Sequence, residues 1–133
     1  MTPRKLASAI RKGHTMIGES RWNYYNYKCG CVIGAALAGA HIPVEVWRRE
    51  ITLRNIFKKN FYETRAAQLL QINSNLCILI AEMHLEQKIS RLAIADWLDT
   101  LEPETKPANK QTFEQFMATA MMPIFEQCEK EKR

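Results

Sequence analysis

The ten residues Cys31–Ala40 read CVIGAALAGA, and this stretch decides the predicted fold of the chain. Gly34 and Ala38 are four residues apart, as are Ala35 and Gly39, so small side chains line one face if the stretch is helical. A face of small side chains lets another helix approach closely, although glycine lowers intrinsic helix propensity. The sequence therefore predicts a central buried helix over Cys31–Ala40.

Helical periodicity also dominates the segments on either side of the central helix. Thr2 and Pro3 predict a helix start, because a hydroxyl can cap the first turn and proline has the φ angle of a first helical residue. This first helix continues through Leu6–Gly13. Further helices are predicted around 44–62 and 64–71, over 76–87 after a cap at Asn73–Asn75, over 90–101 with Ser90 as its cap, and from Thr112 onward. Residues 21–28 are predicted to form a long loop. We therefore expect an all-α fold, a compact single-domain bundle of six or seven short helices around a small-residue central helix, over residues 1–133.

The composition is typical of a globular protein without a membrane span. The 133 residues are 47% hydrophobic and 25% charged, and the longest mostly apolar stretch, Val32–Ile42, is too short to cross a bilayer. The N-terminus lacks the apolar region of a secretory signal, so we expect a cytoplasmic protein with reduced thiols. The four cysteines are Cys29, Cys31, Cys77 and Cys128. We expect structural thiols rather than a metal site. Any redox or metal role of Cys29 and Cys31 stays open.

Charge is divided unevenly along the chain. Residues 1–60 carry eleven Lys and Arg against three Glu, a net of +8. Residues 61–133 carry eight Lys and Arg against eleven acidic residues, a net of −3, and the two halves sum to the net +5 of the chain. A surface built by the first half would attract anions, so a phosphate backbone and an acidic protein are both natural partners.

Two segments of the basic half are candidates for contact with such a partner. Residues 21–28 interleave cations with four aromatic rings, a composition used to stack single-stranded nucleic acid and one that also dominates protein–protein hot spots. These rings could instead simply anchor the loop to the core. The predicted helix over 44–62 has an apolar stripe and a basic back, which can lie on phosphates or be only a solvated face. The candidate partner-binding residues are Arg21, Trp22, Tyr24, Tyr25, Tyr27, Lys28, Arg48, Arg49, Arg54, Lys58 and Lys59.

The sequence offers little for catalysis. There are three histidines and two aspartates, without a glycine-rich phosphate loop or a metalloprotease motif. A nucleophile pairing of Cys31 with His41 has no support from their spacing. We therefore expect no enzymatic activity, no cofactor and no metal.

The predicted helices over 76–87 and 90–101 have the order of a helix-turn-helix. The second of them carries Asp96, Asp99 and Glu102, which the phosphates of DNA would repel. We expect a packed helical hairpin here rather than a DNA-reading unit.

Three segments resemble a group of small uncharacterised bacterial and prophage helical proteins. Leu6–Gly13 is similar to their opening Leu-Ser-x-Ala-Ile-Arg-x-Gly helix, Cys31–Ala36 matches Cys-x-x-Gly-Ala-Ala, and Ser90–Trp97 matches Ser-Arg-x-x-Ile-Ala-Asp-Trp. The resemblance implies a shared helical scaffold and a mobile-element setting, and it carries no activity. Many members have an additional C-x-x-C pair that this sequence lacks, which removes any zinc site taken from the resemblance.

The function expected from the sequence is non-enzymatic binding. The basic N-terminal half would engage an acidic protein or nucleoprotein partner, and the suspected prophage setting points to host machinery, for example a defence complex. The first alternative is direct binding of single-stranded nucleic acid by the aromatic residues of 21–28. The second is a small-molecule pocket beside the helix that contains Gly34 and Gly39. A homodimer through Met121, Met122 and Phe125 also stays open.

Overall fold

A computed structural model of the chain describes residues 1–101, which form six helices and one short parallel sheet. The elements are α1 (Pro3–Met16), β1 (Gly18–Glu19), β2 (Cys29–Gly30), α2 (Val32–Gly39), α3 (Val44–Arg48), α4 (Phe61–Leu70), α5 (Ser74–Leu85) and α6 (Arg91–Asp99). The mostly helical class is confirmed, and the two-residue strands, which the sequence did not predict, close the loop over 21–28 at its base. Outside the described residues lie the predicted connector 102–110, the predicted helix from Thr112, the dimer candidates Met121, Met122 and Phe125, and Cys128.

Three helix starts follow the predicted capping rules. The Thr2 hydroxyl accepts a hydrogen bond from the Lys5 amide at 3.2 Å, and Pro3 is the first helical residue of α1. The Ser90 hydroxyl accepts from the Ala93 amide at 3.1 Å at the start of α6. At α5 the side-chain oxygen of Asn73 accepts from the Asn75 amide at 2.7 Å. Each cap satisfies an amide that has no partner within its own helix.

Helices α1 and α2 are in direct backbone contact at the centre of the fold. A β-carbon added at Gly13 of α1 would collide with the Ala35 carbonyl, and one added at Gly39 of α2 would collide with the Ala9 carbonyl. Every residue of α2 is buried, which confirms the predicted central helix. The glycines are needed here for their missing side chains, because the two helices could not approach this closely otherwise.

One hydrophobic cluster contains buried residues from all six helices. Helix α6 packs mainly on α1, with only a small contact to α5. The expectation of a packed α5–α6 hairpin is therefore corrected, because α6 faces α1, whose Arg11 pairs with Asp96 and Asp99 of α6. The buried residues of α6 and of the turn after it include Ile94, Trp97, Leu98 and Leu101.

The helix predicted over 44–62 is wrong in its length. Helix α3 ends at Arg48, and residues 49–60 form consecutive turns before α4 begins at Phe61. The Asn55 side chain donates to the Glu50 carbonyl at 2.9 Å, and the Asn55 amide bonds to Thr52, so polar side chains compete for the backbone in this segment. The predicted apolar stripe does not exist as a result, since Trp47 is buried while Phe57 is 82% exposed.

Candidate partner-binding surface

The loop over 21–28 is held firmly at both ends. The amide of Gly18 donates to the Lys28 carbonyl at 2.9 Å, and the amide of Ser20 donates to the Gly30 carbonyl at 3.0 Å. Inside the loop, the side-chain oxygen of Asn26 accepts from the amides of Lys28 at 2.8 Å and Cys29 at 2.9 Å. The side chains that the loop presents to solvent therefore stand on an ordered backbone.

The structure divides the four aromatic residues of this loop into two anchors and two exposed rings. Tyr24 stacks on Tyr62 of α4 with ring centres 4.6 Å apart, and its hydroxyl donates to the buried Glu63 at 2.7 Å. The Tyr25 hydroxyl donates to the Ile42 carbonyl at 2.6 Å. Burial, followed by the hydrogen bond to Glu63, raises the pKa of Tyr24, so this phenol stays protonated. Two of the four rings thus hold the loop on the core.

Trp22 and Tyr27 are the exposed rings. Trp22 is 92% exposed and Tyr27 is 64% exposed. The guanidinium carbon of Arg48, at the end of α3, lies 5.9 Å from the centre of the Tyr27 ring, which is a cation–π distance. The loop and α3, which are separate candidates in the sequence, therefore meet at this contact.

Two clefts flank Trp22. The first, which we name the Arg48 cleft, has a volume of about 390 Å³ and is lined by aromatic rings, Arg48 and the amide side chain of Asn23. The second, the Lys88 cleft, has a volume of about 240 Å³ and is lined by Arg21, Trp22, Leu85 and Lys88. Among the described residues Trp22 alone lines both clefts, so the two clefts meet at this residue. We call Arg21, Trp22, Tyr27, Arg48 and Lys88 the aromatic–basic surface.

The predicted cations have no acidic partner within residues 1–101. None of the seven candidate Lys and Arg residues takes part in the ion pairs found there. All seven are exposed. Four of them lie in the turn segment 49–60, which also contains the exposed Leu53 and Phe57. The seven are Arg21, Lys28, Arg48, Arg49, Arg54, Lys58 and Lys59.

The positive charge of α1 is used differently from that of the loop. Arg11 pairs with Asp96 at 2.7 Å and with Asp99 at 2.6 Å, so carboxylates of α6 neutralise it. Lys12 contacts Nε2 of His41 at 2.6 Å. The expectation that the whole basic half forms one free surface is therefore corrected for α1.

Sequence reasoning missed Lys88 and Tyr62. Lys88 belongs to the acidic half of the chain and lies just beyond α5, with a left-handed backbone at φ 60° that turns the chain toward Trp22. Tyr62 looks like an ordinary core residue of α4, yet it supports Tyr24 and lines the Arg48 cleft. No linear pattern could have revealed either role, because both depend on which helix ends lie beside the loop.

A buried arginine joins the base of the loop to the core. Arg91, the first residue of α6, is 1% exposed. Its Nε donates to Nδ1 of His14 at 3.0 Å, and its Nη2 donates to the Ile17 carbonyl at 2.9 Å. Its Nη1 donates to the carbonyls of Gly18 and Gly30, each at 3.2 Å, and so spans β1 and β2. Arg91 lies in the Ser90–Trp97 segment, but nothing in that segment predicted this burial.

Glu19 and His84 complete the polar cluster around Arg91. A carboxylate oxygen of Glu19 lies 3.6 Å from Nε of Arg91, and the other lies 3.3 Å from Nε2 of the buried His84. Burial raises the pKa of Glu19, but the hydrogen bond to His84 and the charges of His84 and Arg91 outweigh it, and the net effect is a lowered pKa. Burial, and then the charge of Arg91, lowers the pKa of His14, whose neutral ring accepts the arginine N–H.

Acid is expected to destabilise the protein in two steps. The pKa of His14 in the folded protein is below the ordinary histidine value of 6.5, so its contribution is fully present above pH 6.5 and is lost as the pH falls through the folded-state pKa. The lowered pKa of Glu19 adds a second loss of stability below the ordinary glutamate value of 4.5. Thermal unfolding followed by circular dichroism should show the melting temperature falling between about pH 7.5 and about pH 5.5.

The variant His14→Gln should flatten the upper of these two steps, because it removes the titrating ring beside Arg91 and Glu19. The matched control is His41→Asn, which removes an exposed histidine outside the cluster and suits the left-handed backbone there. A melting temperature of the unaltered protein that stays constant over this range would contradict the assignment.

Two of the three described cysteines, Cys31 and Cys77, are buried thiols. Burial raises the pKa of the Cys31 thiol to about 11 and that of the Cys77 thiol to about 12, so both stay protonated. Cys31 does not pair with His41, whose ring contacts Lys12 instead. Within residues 1–101, no group of three His, Cys, Asp or Glu side chains could hold a metal ion. In the same part of the chain, every helix is too short or too polar to cross a membrane.

Comparison with protein families, with curated proteins and with solved structures finds no match to this chain. The function is therefore inferred from the residues of the surface itself.

Proposed function

We propose that this is a non-enzymatic binding protein whose aromatic–basic surface engages an anionic partner, an acidic protein or a nucleoprotein complex. The observation that carries the proposal is the placement of an almost fully exposed indole, Trp22, among cations that form no ion pair with any other residue of 1–101. Trp, Tyr and Arg are the residues that contribute most to binding energy at protein interfaces.

The aromatic rings would supply most of the affinity and the cations most of the selectivity. Complete burial of a tryptophan removes 150–250 Å² from water, which corresponds to about 4–6 kcal/mol before the costs of association. Exposed ion pairs contribute only about 0–1 kcal/mol each, but they steer the approach of an anionic partner. Arg48, already placed over Tyr27, loses less side-chain freedom on binding than a free arginine.

A protein component of the partner is favoured by the turn segment 49–60. Leu53 is 77% exposed in this segment, and Phe57 is exposed to a similar degree, next to Arg54, Lys58 and Lys59. Exposed apolar side chains among charges are typical of surfaces that another protein covers. The mobile-element setting implied by the sequence resemblance makes a complex of the host cell, including one that handles nucleic acid, the partner we put first.

The variant Arg48→Glu is expected to abolish capture of this partner. Reversal of the charge removes the cation from the Tyr27 ring and repels an anionic ligand, so recovery should fall by about ten-fold or more. The measurement is affinity capture from an extract of the native host, with and without nuclease, followed by identification of the bound proteins.

Lys5→Glu is the matched control, because it changes the net charge equally at an exposed position of α1 outside the surface. The control variant should capture the same partner as the unaltered protein. Equal capture by the Arg48→Glu variant would show that the partner binds elsewhere.

A further inference from the structure

We infer that the component touched by the aromatic–basic surface is an unpaired nucleic-acid strand, with neighbouring bases in the two clefts that share Trp22 and phosphates on Arg48, Arg21 and Lys88. The inference rests on the proposed function and specifies the chemistry of its partner. It assigns Trp22 to stacking and the three cations to the backbone of the strand.

The first argument is the position of the indole. Trp22 is 92% exposed, so both faces of its indole are accessible to planar groups, and it lines both clefts. Its backbone is fixed, since the amides of Trp22 and Asn23 both donate to the Ser20 hydroxyl, at 3.2 and 3.3 Å. A base stacked on an exposed aromatic ring contributes about 1–3 kcal/mol, and two faces can take two successive bases.

The second argument is the construction of the Arg48 cleft. The stacked pair of Tyr24 and Tyr62 forms a rigid aromatic wall in a space of about 390 Å³. Arg48 brings a planar guanidinium to this cleft, and such a group can bind a phosphate through two parallel hydrogen bonds. The side-chain amide of the exposed Asn23 can bind a base edge. Within residues 1–101 its polar contact is a long one, 3.7 Å from Nδ2 to the Cys29 sulfur.

The third argument is the pair of cations in the Lys88 cleft. Arg21 and Lys88 line this cleft together with Trp22, so it offers a second position for a phosphate near the indole. Neither residue forms an ion pair within the described part of the chain. An anion can therefore bind without first displacing a carboxylate of the protein.

The alternation of cation, ring and cation favours a nucleic-acid strand over an acidic polypeptide. Each nucleotide carries one planar ring and one negative charge, so consecutive nucleotides present the same alternation as the surface. An acidic polypeptide satisfies the cations but leaves both faces of Trp22 without planar partners. Duplex DNA is disfavoured because its bases are already stacked and cannot reach an indole on a protein surface.

The test is a fluorescence titration of the whole protein with an oligothymidylate. Trp97 is buried and lines neither cleft, whereas Trp47 lines the Arg48 cleft, so the loss of quenching in Trp22→Phe identifies the signal of Trp22. We expect saturable quenching that weakens with salt. With a labelled oligothymidylate and anisotropy as the readout, Trp22→Ala should weaken binding by about 5- to 150-fold, whereas Trp22→Phe should retain most of it.

The cations have their own readout in the salt dependence. Each phosphate contact on a single strand contributes about −0.7 to the slope of log K against log salt concentration. Arg48→Ala and Lys88→Ala should each reduce the slope by about this amount, and Lys5→Ala should leave it unchanged. Unaltered slopes in both variants would overturn the placement of the phosphates. Circular dichroism checks that each variant, all at exposed positions, is folded.

Polyglutamate and duplex DNA are the competitors that separate this inference from the proposed function. If polyglutamate binds through Trp22 and oligothymidylate does not, the inference is overturned while the proposed function stands. Preferential binding of the duplex also overturns it. If no polyanion binds and the Arg48→Glu variant captures the same host partner as the unaltered protein, both the inference and the proposed function fail.

Discussion

Replacement of Arg91 by methionine is expected to lower the free energy of unfolding by about 3–5 kcal/mol, the range found when one member of a buried charged cluster is removed. Arg91 is 1% exposed and donates hydrogen bonds to His14 and to the carbonyls of Ile17, Gly18 and Gly30. Methionine fills a similar volume without donating any of these bonds. The carbonyls of Ile17 and Gly30, whose hydrogen bonds to Arg91 are buried, would then be left without this partner.

The local consequence of Arg91→Met should appear at the partner-binding loop. The two-residue strands β1 and β2 are joined by few hydrogen bonds of their own, and a single arginine nitrogen bonds to the carbonyls of both. Amide hydrogen exchange should therefore increase in the loop over 21–28 more than in α2. Arg91→Lys should also destabilise the protein, because an ammonium group cannot reproduce the planar fork of the guanidinium.

Urea unfolding of Arg91→Met and Arg54→Met makes the comparison direct. Arg54 is exposed in the turn segment 49–60, so the same substitution there should change the stability by no more than about 0.5 kcal/mol. A midpoint of unfolding for Arg91→Met equal to that of Arg54→Met would show that the buried cluster does not stabilise the fold.

The second large effect is expected from Gly13→Ala or Gly39→Ala. Each new methyl group would collide with a backbone carbonyl of the facing helix, that of Ala35 or Ala9. A carbonyl within a helix cannot rotate away, so α1 and α2 would have to separate. Overpacking of a core costs about 1–3 kcal/mol, and we expect these variants at or above the upper end of that range.

The sign of the change in the free energy of unfolding shows whether close helix packing or helix propensity dominates at these positions. Propensity alone would make alanine stabilising over glycine by about 1 kcal/mol within a helix. A loss of stability in Gly13→Ala therefore measures the contact between the helices. Gly18→Ala is the matched control, because the atom nearest to its added β-carbon is at 3.4 Å, an ordinary contact.

Thermal and urea unfolding of these three glycine variants provides the test. Gly18→Ala should remain within about 0.5 kcal/mol of the unaltered protein. A stabilised Gly13→Ala or Gly39→Ala variant would contradict the backbone contact between α1 and α2.

Part of the candidate surface was predictable, because most of its residues lie in short segments rich in aromatic and basic residues. Arg21, Trp22, Tyr27 and Arg48 stood out by composition, and all four are exposed. The same composition also included Tyr24 and Tyr25, which anchor the loop through Glu63 and Ile42. Alternation of aromatic and polar residues does not reveal which ring points inward when the segment has no regular period.

The helix predicted over 44–62 shows a second limit. Hydrophobic spacing alone connected Trp47 to Phe57, but Thr52 and Asn55 redirect the backbone through local hydrogen bonds. These side-chain hydrogen bonds compete only weakly with the backbone hydrogen bonds of a helix. The helix therefore persists only where burial of apolar side chains stabilises it. Here Trp47 is buried and Phe57 is not, and the helix ends at Arg48.

The sequence by itself determined the all-α class, the central helix and its small residues, and the helix starts at Thr2, Asn73 and Ser90. These features depend on interactions within a few residues, which the chain encodes locally. Only the tertiary structure decided that Arg91 is buried, that Arg11 is neutralised by α6, and that Lys88 joins Trp22 at the surface. Each of these depends on which helix ends come together, and that is set by the packing of α1 on α2 and α6.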